Sequence, residues 1–275
     1  MRTLPAIHND PMEGISAVAS GDTAVLVVEH VSDELKELLR QRLAAFCFGA
    51  VEVELDSDYY SFEATITELL TRFDSKPKAT KIGMVGELVV HVLMPSSHPS
   101  LSSSAIYFNK EERSIKKGFD LTFHEGTKAI WYGEVKSGHV KDNESADDKS
   151  SSLLMTAAAD VAGKLSHDAQ RSRWDAAVYD AGLTLESSQA KTVKALLRSD
   201  ARVIATGTQI KKNVVLAATV VHSVGHCRVS VEATAGVAEE IVNSKRFDAT
   251  RILVIQQEEL ETIMSYLRSE VAADA

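Results

Sequence analysis

Residues 118–124 read GFDLTFH and residues 129–138 read AIWYGEVKSG. These two stretches decide the fold. Aromatic and β-branched residues mark both as strands, and only residues 125–128, with Gly126 among them, separate the runs 119–124 and 129–136. The spacing predicts a β-hairpin. Side chains two apart on a strand share a face. Ile130, Tyr132, Glu134 and Lys136 therefore project together, while Trp131, Gly133 and Val135 face the other way. A tight hairpin brings Asp120 across from 134–136, so two carboxylates and one ammonium converge.

Two neighbouring carboxylates resist being ionised together. A divalent cation that prefers oxygen ligands, such as Mg²⁺ with Mn²⁺ as a substitute, relieves the conflict. Such an ion polarises a phosphoryl oxygen and lowers the pKa of bound water. Lys136 is then placed to stabilise developing negative charge or to orient the attacking water. Glu87, which follows Gly86, is the candidate fourth charged group. These are the parts that phosphodiester hydrolysis needs. The competing explanation is a solvated ionic ladder, since an E-x-K triplet arises by chance roughly once in a chain of this length. The apolar and aromatic flanks favour the first reading, because charges beside a core are costly unless paired or metal-bound.

Outward from the hairpin, 24–29 reads as a strand behind an irregular lead-in over 1–22. Ser32 is the expected N-cap of an amphipathic helix over 32–46. The segment 51–70 is ambiguous between helix and strand, because Thr65 and Thr67 favour a strand. A buried helix is predicted over 80–94, ended by Pro95 and followed by a Ser-rich loop over 96–104. After the hairpin come a polar loop over 138–152, one helix over 153–174 with Arg171 and Arg173 in its last turn, and a short helix over 191–197. Strands at 213–222 and 250–255 enclose a helix over 237–243, and a surface helix over 258–271 closes the chain. This order predicts an α/β fold, a central mixed sheet flanked by helices. Residues 1–75 are expected to form an accessory α/β lobe and 76–275 the core.

The chain has 275 residues and a net charge of −9, with 44% hydrophobic and 25% charged residues, which is globular composition. No run approaches the roughly 18 apolar residues of a membrane span, and the N-terminus has no apolar signal region. Two cysteines, Cys47 and Cys227, exclude a disulfide-built scaffold and suggest a reducing, cytoplasmic setting. The charge is uneven: 14 acids and 5 bases in 1–75, 6 acids and 10 bases in 76–141, and 19 acids and 15 bases in 142–275. The only basic segment is the one holding the hairpin, which suits a polyanionic substrate. Phosphate-binding GxxxxGK[ST], serine-hydrolase GxSxG, dinucleotide-binding GxGxxG and zinc-finger spacings are all missing.

The GFD at 118–120 and GEVKSG at 133–138 resemble the PD-(D/E)xK nuclease superfamily. That resemblance implies a restriction-endonuclease-like core with N-terminal accessory elements: a helix, a three-stranded antiparallel unit, a second helix and a further strand. It makes Glu87 the helix acid, Asp120 the strand acid, and Glu134 and Lys136 the E-x-K pair, with Mg²⁺ held by Glu87, Asp120 and Glu134. Phe119 stands where the motif has proline. A closer resemblance rests on GxVGExxxH at 83–91, KKGFDL at 116–121 and YGEVKSG at 132–138. It is to HamA, the nuclease subunit of the Hachiman antiphage defence system, once known only as a domain of unknown function. It implies a DNA substrate and a heterodimer with a helicase.

Lys116 and Lys117, on the approach to Asp120, and Gln170 and Arg171, beyond the E-x-K strand, are candidate DNA contacts. The alternatives are a solvated loop and charge matching at a helix C-terminus. His91, one turn after Glu87, is a candidate support or an ordinary core-edge histidine. His222, His226 and Cys227 lack the spacing of a zinc site, and Asp147 and Asp148 read as solvated. The leading reading is a metal-dependent DNA nuclease. Its rivals are a non-catalytic regulatory or sensor subunit on a nuclease-like fold, and an RNA nuclease.

Overall fold

The computed structural model describes residues 12–108, 118–166, 171–208, 210–258 and 261–273. Its strands are β1 (Ile15–Ser20), β2 (Thr23–Val28), β3 (Ser102–Ser103), β4 (Leu121–Glu125), β5 (Ala129–His139), β6 (Asn213–Val221) and β7 (Thr250–Gln257). They form one seven-stranded sheet in the order β1-β2-β7-β6-β5-β4-β3. The four central strands, β2, β7, β6 and β5, are parallel neighbours, and antiparallel pairs complete both edges. The sheet is therefore mixed, as the element order predicts.

Two apolar layers cover the sheet. On one face lie α1 (Asp33–Phe48), α3 (Phe62–Asp74), α4 (Lys78–Ser97) and α9 (Thr262–Ala273), which bury Leu35, Leu39, Leu43, Ile66, Leu69, Val89, Leu93, Ile263 and Leu267 together with Phe123, Val135 and Ala217. On the other lie α5 (Ala146–Lys164), α6 (Arg171–Thr184), α7 (Ser187–Ala205) and α8 (Val231–Asn243), packed through Leu154, Ala158, Val161, Trp174, Val193, Leu197 and Ile241 on Tyr132, Leu216 and Val254. The short α2 (Ala50–Leu55) follows α1. Covering parallel strands on both faces explains why β2 and β6 read as unbroken apolar runs.

Local chemistry accounts for the helix starts. Ser32 accepts from the Leu35 amide, Ser61 from Ala64 and Ser230 from Ala233, each capping a helix. Thr65 and Thr67 sit inside α3, not in a strand, and their hydroxyls are satisfied there by the carbonyls of Ser61 and Glu63 at 2.7 and 2.9 Å. The Ile66–Leu69–Phe73 stripe then buries against the core.

Several expectations are corrected. The lead-in contains β1, whose six residues bury only Ile15 and so show no alternation; pairing with β2 creates it. Pro95 lies within the last turn of α4, which runs on to Ser97, so the proline does not end the helix at Met94. The Ser-rich loop holds the two-residue β3, paired with Phe123 and His124. The loop after the hairpin is shorter than expected, because Ser145 and Asp148 form a capping box that starts α5 at Ala146. The single helix over 153–174 is two helices. Gly163 precedes the end of α5, and the Ser166 hydroxyl bonds the Gly163 carbonyl at 2.7 Å. Arg171 and Arg173 therefore open α6 instead of closing α5. The terminal helix α9 is not a surface helix: Ile263, Met264 and Leu267 are core residues. Asp147 is only partly exposed: it accepts from the amide and hydroxyl of Ser230 at 2.7 and 3.1 Å, tying α5 to the start of α8.

Candidate active site

The hairpin turns through Gly126, whose φ of +55° suits glycine, and β4 and β5 pair with Leu121 opposite Gly133. Gly133 is needed there, because a Cβ would lie 2.8 Å from Leu121 Cβ. This register sets Asp120, one residue before β4, against the segment that follows Gly133. The Val135 amide donates to Asp120 Oδ2 at 2.9 Å, which fixes the carboxylate beside β5. Glu134 and Lys136 project from β5 toward α5, whereas Val135 packs in the opposite layer with α4. Three of the four expected catalytic side chains are thus brought together on one face.

Two side chains that sequence reasoning missed complete the cluster, both from α5. Lys164 Nζ donates to Glu134 Oε2 at 2.5 Å and to Asp120 Oδ1 at 3.2 Å. Lys136 Nζ donates to Glu134 Oε1 at 2.9 Å and pairs with Asp160 Oδ2 at 2.7 Å. Asp160 and Lys164 lie four residues apart, so they share a helix face beside the Ala157–Val161 stripe. That charged i, i+4 pair bordering an apolar stripe, on the helix after E-x-K, was the signal available in the sequence. Arg173 of α6 donates from Nη1 to the Lys164 carbonyl at 3.0 Å, and the charge of Glu134 bears on its guanidinium.

The electrostatics follow from burial. Glu134 is 1% exposed, the most enclosed member of the cluster. Burial raises its pKa and the charge of Asp120 adds to the rise, while Lys164 and Lys136 oppose it. Burial works against the charge on Lys136, but hydrogen bonds to Asp160 and Glu134 and the charges of Glu134 and Asp120 outweigh it, and its pKa is raised. Lys136 is thus held as a cation.

Glu87 and Arg171 come from other helices. Glu87 rides on α4, one residue after Gly86, whose backbone abuts Ser137 of β5 from the opposite side of the sheet. Its charge bears on the buried phenol of Tyr107. Among the described residues, no three His, Cys, Asp or Glu side chains gather as a metal site. Arg171 is exposed at the start of α6 and pairs with Asp175 at 3.5 Å. Lys116, Lys117 and Gln170 lie outside the described residues. His91 is buried, its Nε2 3.1 Å from the Ser103 hydroxyl.

The order α4, β3-β4-β5, α5, β6, with a carboxylate pair and a lysine where β4 and β5 meet, is that of a restriction-endonuclease-like core. The HamA family model matches residues 19–269. The chain belongs to the HamA family. HamA proteins are the nuclease-like subunits of the Hachiman antiphage system, and membership supports a nuclease-like effector role here. At the level of the family it also implies association with a Hachiman helicase and a DNA substrate. The HamA match covers Asp120, Glu134, Lys136, Asp160 and Lys164. No curated protein matches the chain significantly. Among the described residues, no helix is long and apolar enough to cross a membrane.

Proposed function

We propose that this HamA chain is a Mg²⁺-dependent deoxyribonuclease, the cytoplasmic effector of an antiphage complex in which it pairs with a helicase. The observation that carries this reading is the shared cation: Asp120 and Glu134 each turn one oxygen toward the same positive charge, with Lys136 beside them. A donor set of two carboxylates aimed at one cation fits Mg²⁺, or Mn²⁺ in its place. When bound, that ion would supply Lewis-acid polarisation of the phosphate and activation of water. Asp120 and Glu134 would hold it, with Glu87 assisting from α4.

The chain's own groups have distinct tasks. The Val135 amide keeps Asp120 oriented, and the enclosure of Glu134 excludes water from its carboxylate. Lys136, steered by Asp160, stabilises charge that develops on the phosphate oxygens. Arg171, together with Lys116, Lys117 and Gln170, contacts the DNA backbone. The acidic segment 1–75, whose β1, β2, α1 and α3 share the sheet and apolar layer of 76–275, offers the partner-binding surface.

The test incubates the chain with and without its helicase, on DNA and on RNA, in Mg²⁺ or EDTA. DNA cleavage is expected only with Mg²⁺, and Glu134→Ala and Lys136→Ala each lower it by about 10²-fold or more. Metal-dependent cleavage that survives both substitutions overturns the assignment, and cleavage of RNA alone moves it to the ribonuclease reading.

A further inference from the structure

Each carboxylate of the pair has one oxygen committed to a fixed neighbour. Asp120 Oδ2 takes the Val135 amide, and Glu134 Oε1 takes the Lys136 ammonium. The two other oxygens, Asp120 Oδ1 and Glu134 Oε2, face a common point, and Lys164 Nζ occupies it. Glu134 is 1% exposed, and a buried carboxylate beside a second one is costly without a cation. A positive charge at this point therefore stabilises the pair whether or not a metal is present.

Lys164 is built to supply that charge and to give it up. Its backbone is anchored at the last residue of α5, where its carbonyl accepts from Arg173. Its ammonium ends a flexible four-carbon stem, and the side chain keeps 19% of its surface open to solvent. An ammonium and a divalent ion cannot stand between the same two oxygens. We propose that Lys164 is a resident cation of the metal site: it holds Asp120 and Glu134 together in the metal-free protein and must swing out before a divalent ion can join them. Metal affinity is then set by competition with Lys164, because the apparent dissociation constant rises as the vacated fraction falls. The inference rests on the metal-dependent reading above and adds to it a residue that tunes metal loading.

The experiment is calorimetric titration of the full chain with Mn²⁺, for the wild type, Lys164→Met and the double variant Lys164→Met/Glu134→Gln. Lys164→Met is expected to bind Mn²⁺ about tenfold more tightly than the wild type, within the usual range of such couplings, and the double variant is expected to lose that binding. Equal or weaker binding by Lys164→Met overturns the proposal while leaving the metal site standing, provided that the double variant loses it. Absence of binding in every protein overturns both. Should Lys164→Met fail to fold, the wild type carries the test by reductive methylation and mass spectrometry with and without Mg²⁺. Lys164 labelling is expected to rise severalfold when Mg²⁺ is added, and labelling that stays constant up to saturating Mg²⁺ overturns the proposal.

Discussion

Strand β5 shows two different surfaces from alternate residues. Toward α5 it presents Glu134 and Lys136, held in a ring of charge by Asp120, Asp160 and Lys164. Toward α4 it presents Val135 and Ser137, packed so closely that a Cβ on Gly86 would lie 1.7 Å from Ser137 Oγ and 2.8 Å from Ser137 Cβ. The first face depends on polar distances near 3 Å, and the second on the absence of a single methyl group. The comparison teaches a division of labour: close packing on one side fixes the strand, and the fixed strand places the charges on the other.

The largest effect is expected on the charged face. Lys136→Ala removes a fixed cation and should lower the DNA-cleavage rate by about 10²–10³-fold. Lys164 still pairs with Glu134 in this variant, so a loss of cleavage far larger than the loss of thermal stability, measured by melting, would show that the two faces separate as described. Next comes the packed face. Gly86→Val drives carbon into Ser137 and Thr219, and overpacking of this kind costs about 1–3 kcal/mol. A lower midpoint in urea unfolding checks it, and an unchanged midpoint would show that α4 can shift away from β5.

A smaller loss is expected at the start of α5, the helix that delivers Asp160 and Lys164. Ser145→Ala removes the capping box and should cost about 1 kcal/mol, again read by urea unfolding. If cleavage falls much further than stability, the charged face depends on the position of α5 as well as on β5.

The smallest effect is a pH dependence near the hairpin. His124 is buried, and burial lowers its pKa below the usual imidazole value. Its Nε2 accepts from the Gln189 side-chain amide at 2.7 Å, a contact that protonation would turn into donor against donor. The folded-state pKa lies below the unfolded one, so this stability is complete above about pH 6.5 and is lost as pH falls through the folded value. Melting temperature should decline below pH 6.5, and His124→Asn should flatten part of that slope.

Much of the fold was legible because its signals are local. The hairpin, the Ser32 cap, the Leu35–Leu39–Leu43 stripe and the apolar runs of β6 and β7 depend on neighbours within a few residues. β1 was not legible, because its six residues have no apolar period and become a strand only by pairing with β2. The break between α5 and α6 was hidden because Leu154, Ala158, Val161, Trp174 and Ala177 bury in one layer, so the apolar pattern runs on although the helix does not. In the site, Glu134 and Lys136 were legible as a pair, whereas Asp160 and Lys164 had no mark beyond their spacing.

By itself the sequence determined that Glu134 and Lys136 share a face, since alternation follows from the covalent geometry of an extended chain, and it brought Asp120 to them through a turn of fixed length. Only the tertiary structure decided which cation stands between the two acids, that Asp160 pairs with Lys136, and that α4, the helix of Glu87, packs on the opposite layer. Those positions depend on where α4 and α5 come to rest on the sheet. Helix placement is set by the whole apolar interface rather than by any residue near the site.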